Sequence, residues 1–345
     1  MKKTFLAFIT CISLAACGGD SKTSETKTVA DMNPQFDKYK EQFIENLWKI
    51  YPGWASSQGY HKYDSILVVP NDETRAKELA FVKANLDSLK SFDINGLSDN
   101  NKTDYYMIEN QLKSTEWAIN EMKSYEWNPS EYNVSGAFAE ILAGNYDSLD
   151  VRLRNFYLRM ANIPAYYEAA KKNIKNPTLE HTQLAIEQNL GGISVFETDL
   201  HNALNKVKFG EHEKQSIEAT AKMAIAAIKD FADWLKKLEN KTPRSFRLGK
   251  ELYSKKFEFD IQSGYTADVV YEKALARKKE LHEKMFELAD KLWEKYLNKT
   301  EKPTDKLVLI KQVIDKISEK HVKPNEFQSA IEKQMPELVE FIRQK

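Results

Sequence analysis

Apolar residues recur at spacings of three and four along most of this chain, and that period belongs to the α-helix. Phe36, Tyr39, Phe43, Leu47 and Tyr51 open the pattern, and Pro52-Gly53 stops it. Residues 73–89 predict a second helix. Ser98, between Leu97 and Asp99, is placed to cap a third that runs to about 125, with Tyr105, Ile108, Leu112 and Ile119 along it. The segment 127–146 is broken by Pro129, Gly136 and Gly144, and 147–173 predicts a helix kinked at Pro164. Long helices are expected over 178–204 and 211–238. Pro243 and Gly249 bracket a connection into 250–258, and Gly264-Tyr265-Thr266 opens a helix over 266–297. Segments 303–320 and 325–343 complete the chain. Strand-like alternation of useful length is missing, and no unit repeats at a fixed period. The pattern predicts an all-α fold, an array of long amphipathic antiparallel helices.

The helix 266–297 carries the one stretch with the look of metal chemistry, HEKMF at 282–286. A zinc-peptidase helix needs a second His at the fifth position, where this chain has Phe286. Leu275, His282, Phe286, Ala289 and Trp293 share one stripe, with Leu281, Met285, Leu288 and Leu292 beside it. Glu280, Glu283, Glu287, Asp290 and Glu294 fall on the opposite, solvated face. Glu283 therefore points to water and His282 to a core or cleft. HEKMF is not a zinc site. The stripe bearing His282 requires a cover, and so does the helix 325–343.

The other histidines form no ligand set. His201 has Glu197 one turn earlier, a two-ligand arrangement, whereas zinc takes at least three protein ligands. His61 lies in GYHKYD beside Asp64, and His181, His212 and His321 have no partner at ligand spacing. Serine-nucleophile elbows, phosphate-binding glycine loops and EF-hand loops are missing as well. No metal or other cofactor is expected in this chain.

The N-terminus changes the picture. Lys2 and Lys3 precede a short apolar run, 4–13, with the outline of a secretory signal and too short to span a bilayer. Leu14-Ala15-Ala16-Cys17 resembles the bacterial lipoprotein box, in which the cysteine is diacylated and becomes the new N-terminus. The expected organisation is a signal peptide over 1–16, a lipidated flexible tether over 17–32 and a helical domain over 33–345. Cys11 and Cys17 are the chain's two cysteines, so the mature domain would hold no thiol for a disulfide, a metal or catalysis. Two acyl chains anchor a protein stably, which places it on a membrane lipid surface at the periplasmic face or the cell surface.

Composition narrows the partners. Without Lys2 and Lys3, 49 basic residues face 51 acidic ones, a balance that lacks the basic footprint of a nucleic-acid binder. Glycine, at 12 of 345, is about half the usual ~7%, which leaves few tight turns and favours long helices.

Four stretches carry a family resemblance. ENLWKIYPGWASSQGYHKYD (45–64) has a helix ending at proline followed by a Gly-x-His-x-x-Asp turn, and LSDNNKTDYYMIENQL (97–112) follows it. RLRNFYLRMANIPAYYEAAKKNI (152–174) and FRLGKELYSKKFEFDIQSGYTADVVYEKALARKKEL (246–281), with its Arg247-Leu248-Gly249-Lys250 turn, complete the set. In this order they resemble the bacterial family known as "domain of unknown function 885", whose members are often lipoproteins and are similar to helical zincin-type metallopeptidases. The likeness covers nearly the whole ordered chain.

The resemblance implies peptide hydrolysis in full-length relatives, with a zinc that polarises the carbonyl and activates water. Their His-Glu-x-x-His segment lies in a later half, beyond the stretch that this chain resembles. No zinc ligand or catalytic glutamate is therefore carried over. The chain resembles the N-terminal half, which would wall one side of a cleft for a peptide substrate and be inactive alone. His61, Asp64, Arg247, Lys250, Tyr265 and His282 are the candidate cleft-lining residues. A fragment of a longer peptidase is the expectation. The alternative is a stand-alone binding or scaffold lipoprotein that uses aromatic residues such as Tyr105, Tyr106, Trp117, Tyr125, Trp127, Tyr132, Tyr166 and Tyr167.

Overall fold

A computed structural model describes residues 30–238 and 240–345. The expected signal peptide, Cys11, Cys17 and most of the expected tether lie outside the described residues. The fold is all-α, and among the described residues the sole β-type pairing is an isolated bridge between Thr178 and Arg244. The chain divides into two units, Met1–Arg247 and Leu248–Lys345.

The first unit begins with α1 (Asn33–Ile50), α2 (Pro52–Ser57), α3 (Asp72–Leu89) and α4 (Asp99–Trp117). Phe36, Phe43 and Leu47 of α1 meet Val82 and Leu89 of α3 and Tyr105 and Leu112 of α4 in one apolar cluster. Caps set the helix starts. Asn71 and Thr74 exchange side-chain and backbone hydrogen bonds at 2.9 and 3.0 Å to open α3, and Ser98 Oγ accepts from Asn101 N–H at 3.3 Å to open α4. Met32 N–H donates to Gly96 O at 3.0 Å, so the chain is docked just before α1.

The larger cluster belongs to α5 (Ser124–Trp127), α6 (Ser135–Ala143), α7 (Leu149–Met160), α8 (Ile163–Asn173), α9 (Leu179–Gly191), α10 (Leu200–Leu204) and α11 (Glu211–Lys237). α11 buries Ile217, Ala221, Ala224, Ile228, Phe231 and Leu235, an unbroken three-and-four stripe. Its alanines let α8 and α9 approach closely. A buried polar network locks the same region. Tyr167 OH donates to Asn189 Oδ1 at 2.5 Å, and Asn189 Nδ2 donates to the carbonyls of Tyr132 and Ala185 at 3.0 and 2.8 Å.

Three expected long helices are divided, each for a local reason. The helix from 98 gives way to a π turn at Ala118–Met122 and ends at Lys123 (φ 47°), a left-handed conformation that halts it. The segment 147–173 is two helices rather than one kinked helix. Pro164 sits in the first turn of α8, where its missing N–H costs nothing. The segment 178–204 breaks at Gly192 and a π turn, Val195–Asp199. A Cβ at position 192 would lie 2.4 Å from Ser135 Cβ, so this close approach of α6 requires glycine.

The second unit contains α12 (Lys250–Ile261), α13 (Ala267–Leu297), α14 (Lys306–Ser318) and α15 (Phe327–Arg343). Ala289 and Trp293 of α13 pack on Leu309, Ile310 and Val313 of α14, and those five are its buried apolar residues. α12 and α15 bury none.

Candidate functional site

The Gly-x-His-x-x-Asp turn folds around one buried carboxylate. Asp64 is 1% exposed and accepts three hydrogen bonds. Ser56 Oγ donates to Oδ1 at 2.5 Å, Tyr146 OH to Oδ2 at 2.5 Å, and His61 Nδ1 lies 3.0 Å from Oδ2. An ionised carboxylate only accepts, so the Nδ1 proton of His61 faces Asp64. The His61 ring also stacks on Tyr146 with 2° between the ring planes.

Two buried arginines complete the surroundings. Arg152 donates to the carbonyls of Ile141 and Leu142 at 2.6 and 2.9 Å and to Asp147 O at 3.1 Å. These bonds satisfy the C-terminal carbonyls of α6 and pin the loop that carries Tyr146. Arg159 is 3% exposed, its guanidinium carbon 5.6 Å from the Phe138 ring centre, and its Nε and Nη1 have no acceptor among the described residues. Burial lowers the Arg159 pKa, and the carboxylates of Asp64 and Glu140 oppose that shift. Burial likewise raises the Tyr146 pKa, helped by its bond to Asp64, so the phenol remains a donor at neutral pH.

A second carboxylate holds the outside of the turn. Glu45 of α1 accepts from Lys62 Nζ, Tyr60 OH and Tyr63 OH, each at 2.6 Å. The bond from Lys62, then those from Tyr60 and Tyr63, hold its pKa down at about 2. Beside it Trp48 meets Trp54 edge-to-face and Tyr60 at a tilt, and Trp54 is 41% exposed.

Chemically, the cluster orients an imidazole against a carboxylate but aligns no nucleophile on it. Ser56 donates to the carboxylate itself, so serine, histidine and aspartate do not form a relay. The remaining candidates are placed elsewhere. Arg247 is exposed beside the Phe246 ring, and Lys250 Nζ lies 3.4 Å from Asp268 Oδ2. Tyr265 is exposed with Lys273 Nζ 4.8 Å from its ring centre. His282 is half-buried at a shallow surface pocket with Leu275, Lys278, Lys279, Lys306 and Leu307. Glu283 points outward and pairs with Lys306 at 2.5 Å.

His201 meets Glu218 of α11 at 3.7 Å, a pairing that the spacing to Glu197 does not reveal. Among the described residues no group of three or more His, Cys, Asp or Glu side chains could hold a metal ion. Of the aromatic residues named above, Tyr105, Trp117, Trp127, Tyr132 and Tyr167 are buried between helices, and Tyr106 is exposed.

The model of the family described as "Bacterial protein of unknown function (DUF885)" matches residues 52–345. The chain belongs to this family. Its turn at 59–64 and the arginines of α7 therefore lie within the DUF885 region. A solved structure of a "putative lipoprotein of unknown function" from Shewanella oneidensis is 45% identical, with a TM-score of 0.80. The match covers 90% of this chain and 57% of that one, so this chain spans a little over half the length of its relative. No curated protein matches. Among the described residues, no helix is long and apolar enough to cross a membrane.

Tyr146, Arg159, Ser56 and Arg152 were not among the candidates. Arg152 and Arg159 did carry a signal, since they lie seven residues apart on the apolar stripe of Phe156 and Ile163. Cations on a buried face need a structural or functional partner.

Proposed function

We propose that this DUF885 protein is a lipoprotein of the bacterial cell envelope, anchored through diacylated Cys17 after removal of residues 1–16. Its residues 33–345 form the helical, substrate-cleft part of a metallopeptidase-type assembly and do not hydrolyse peptides alone. The partial span, 57% of a relative that is 45% identical, supports the reading as one part of a longer body, and the metallopeptidase type rests on the resemblance carried by residues 45–64, 97–112, 152–174 and 246–281. The description of that relative as a lipoprotein and the Leu14-Ala15-Ala16-Cys17 box support the anchor. The described residues do not fit a zinc ion, so the metal is assigned to the remainder of such an assembly and no step is derived through it here. His61, held by buried Asp64, and exposed Arg247 in the first unit, and exposed Lys250 and Tyr265 with half-buried His282 in the second, are each proposed as peptide-facing groups.

Two measurements test the proposal. Cys17→Ala is expected to move the protein out of the membrane fraction and remove the lipid mass, and a variant that stays there with unchanged mass would refute the anchor. The full chain alone is expected to show no chelator-sensitive peptidase activity. Such activity, lost on substituting His201 or His282, would refute the division of labour.

A further inference from the structure

Within the first unit, α10 and α11 hold between them a pocket of about 220 Å³, separate from the cluster around Asp64. Its floor is apolar and belongs to the core, with Phe196, Leu200, Leu204 and Ala221 all buried. Its rim is charged, with Glu197 and His201 on one side and Glu218 and Lys222 of α11 on the other, all four exposed. The first wall begins in the π turn Val195–Asp199, closed by a hydrogen bond from Leu200 N–H to Val195 O, five residues back. Such widened turns are frequent at functional sites. Here the turn runs into α10, so that Phe196, Leu200 and Leu204, four residues apart, line the pocket below Glu197 and His201.

Charge and size select the occupant. Glu218 Oε1 lies 3.7 Å from His201 Nδ1, beyond hydrogen-bond length. Among the described residues neither Glu197 nor Lys222 has an ion-pair partner. Both carboxylates therefore keep acceptor capacity at the mouth of the pocket, and they face a single ammonium and an imidazole. The rim does not group as a metal site, which leaves an organic cation. Pockets for drug-sized ligands measure ~300–1,000 Å³, so about 220 Å³ suits one ring or a short branched chain. We propose that this pocket binds a primary ammonium carried on a small apolar body. The ring or chain lies on Phe196, Leu200 and Leu204, and the ammonium sits at Glu197 and Glu218. A free arylalkyl amine and the N-terminus of a peptide that begins with an apolar residue share this chemistry. The proposal depends on neither the lipid anchor nor the peptidase reading.

Saturation-transfer NMR on the full chain at pH 7 tests it with three probes of one shape: phenethylamine, neutral 2-phenylethanol and anionic 3-phenylpropanoate. Phenylalanyl-alanine amide and its N-acetyl derivative form the peptide arm. At least one of the two cations is expected to bind with a Kd on the order of 1 mM, as a ligand this small allows, and ~5–10-fold tighter than its uncharged counterpart. Whichever cation binds tighter names the source. The double variant Glu197→Gln, Glu218→Gln is expected to remove that preference and leave 2-phenylethanol binding unchanged. Both side chains are exposed, so its urea midpoint should match that of the parent. Lys222→Gln, which removes the competing ammonium, is expected to tighten cation binding ~2-fold. Binding of neither cation overturns the proposal. So does 3-phenylpropanoate or the N-acetyl peptide binding as well as its cationic counterpart. A cation preference that survives in the double variant, or that falls in Lys222→Gln, would overturn it too.

Discussion

The two units use the same helical patterning to different ends. The first buries twenty-four apolar residues in its larger cluster and eight in its smaller one, with polar networks threaded between them. The second buries five, all in the contact of α13 with α14. The first unit is built around large buried clusters, whereas the second leaves most of its amphipathic faces exposed. Apolar period along a sequence thus reports that a face will be covered, without saying which polypeptide covers it.

Core truncations should break this symmetry of pattern most strongly. Phe231→Ala, at a position with no exposure, is expected to cost the first unit ~3–5 kcal/mol. A urea midpoint followed by the signal of its buried tryptophans would record the loss. Trp293→Ala removes the largest side chain of the smaller core. It should speed exchange throughout α13 and α14 while the first-unit midpoint stays unchanged; a matching drop there would mean that the units are not independent.

A smaller effect is expected in the polar interior. Asn189→Leu strips the Tyr167 hydroxyl and the Tyr132 carbonyl of their partner, at a cost of ~1–3 kcal/mol for each group left unmatched. An unshifted midpoint would show that the network contributes nothing to the first unit.

The smallest effect concerns acid. Hydrogen bonds hold the Glu45 pKa at about 2, below the ~4.3 of an unfolded chain. Its stabilisation is therefore complete above pH ~4.3 and fades as pH falls toward 2. Glu45→Gln should lower the midpoint at pH 7 and flatten its fall between pH 4.5 and 2.5. An unchanged slope in that window would remove Glu45 from the account of how the turn is held.

Much of the fold was legible from residue pattern, because helix period and caps are local. Ser98 and Thr266 cap α4 and α13 where the spacing placed them. The breaks were less legible. Lys123 ends a helix as a non-glycine residue in the left-handed region, and the Trp127 indole donating to Met122 O is a contact that no pattern of three and four encodes. The site was half visible. His61 and Asp64 are three residues apart and meet as their spacing allows, while Tyr146 arrives from 82 residues away. The apolar stripe placed Arg159 on a buried face, but its neighbour Asp64 comes from a distant part of the sequence and only the tertiary fold brings the two charges within reach.

Native-state hydrogen exchange on the full chain, without any partner, tests the central claim most directly. The account predicts that amides of α8 and α11 exchange only through global unfolding of the first unit. Those of α15 should exchange orders of magnitude faster, close to the rate of an isolated amphipathic helix. Equal protection of α15 and α11 in a monodisperse monomer would contradict the account, because the second unit would then be complete as it stands.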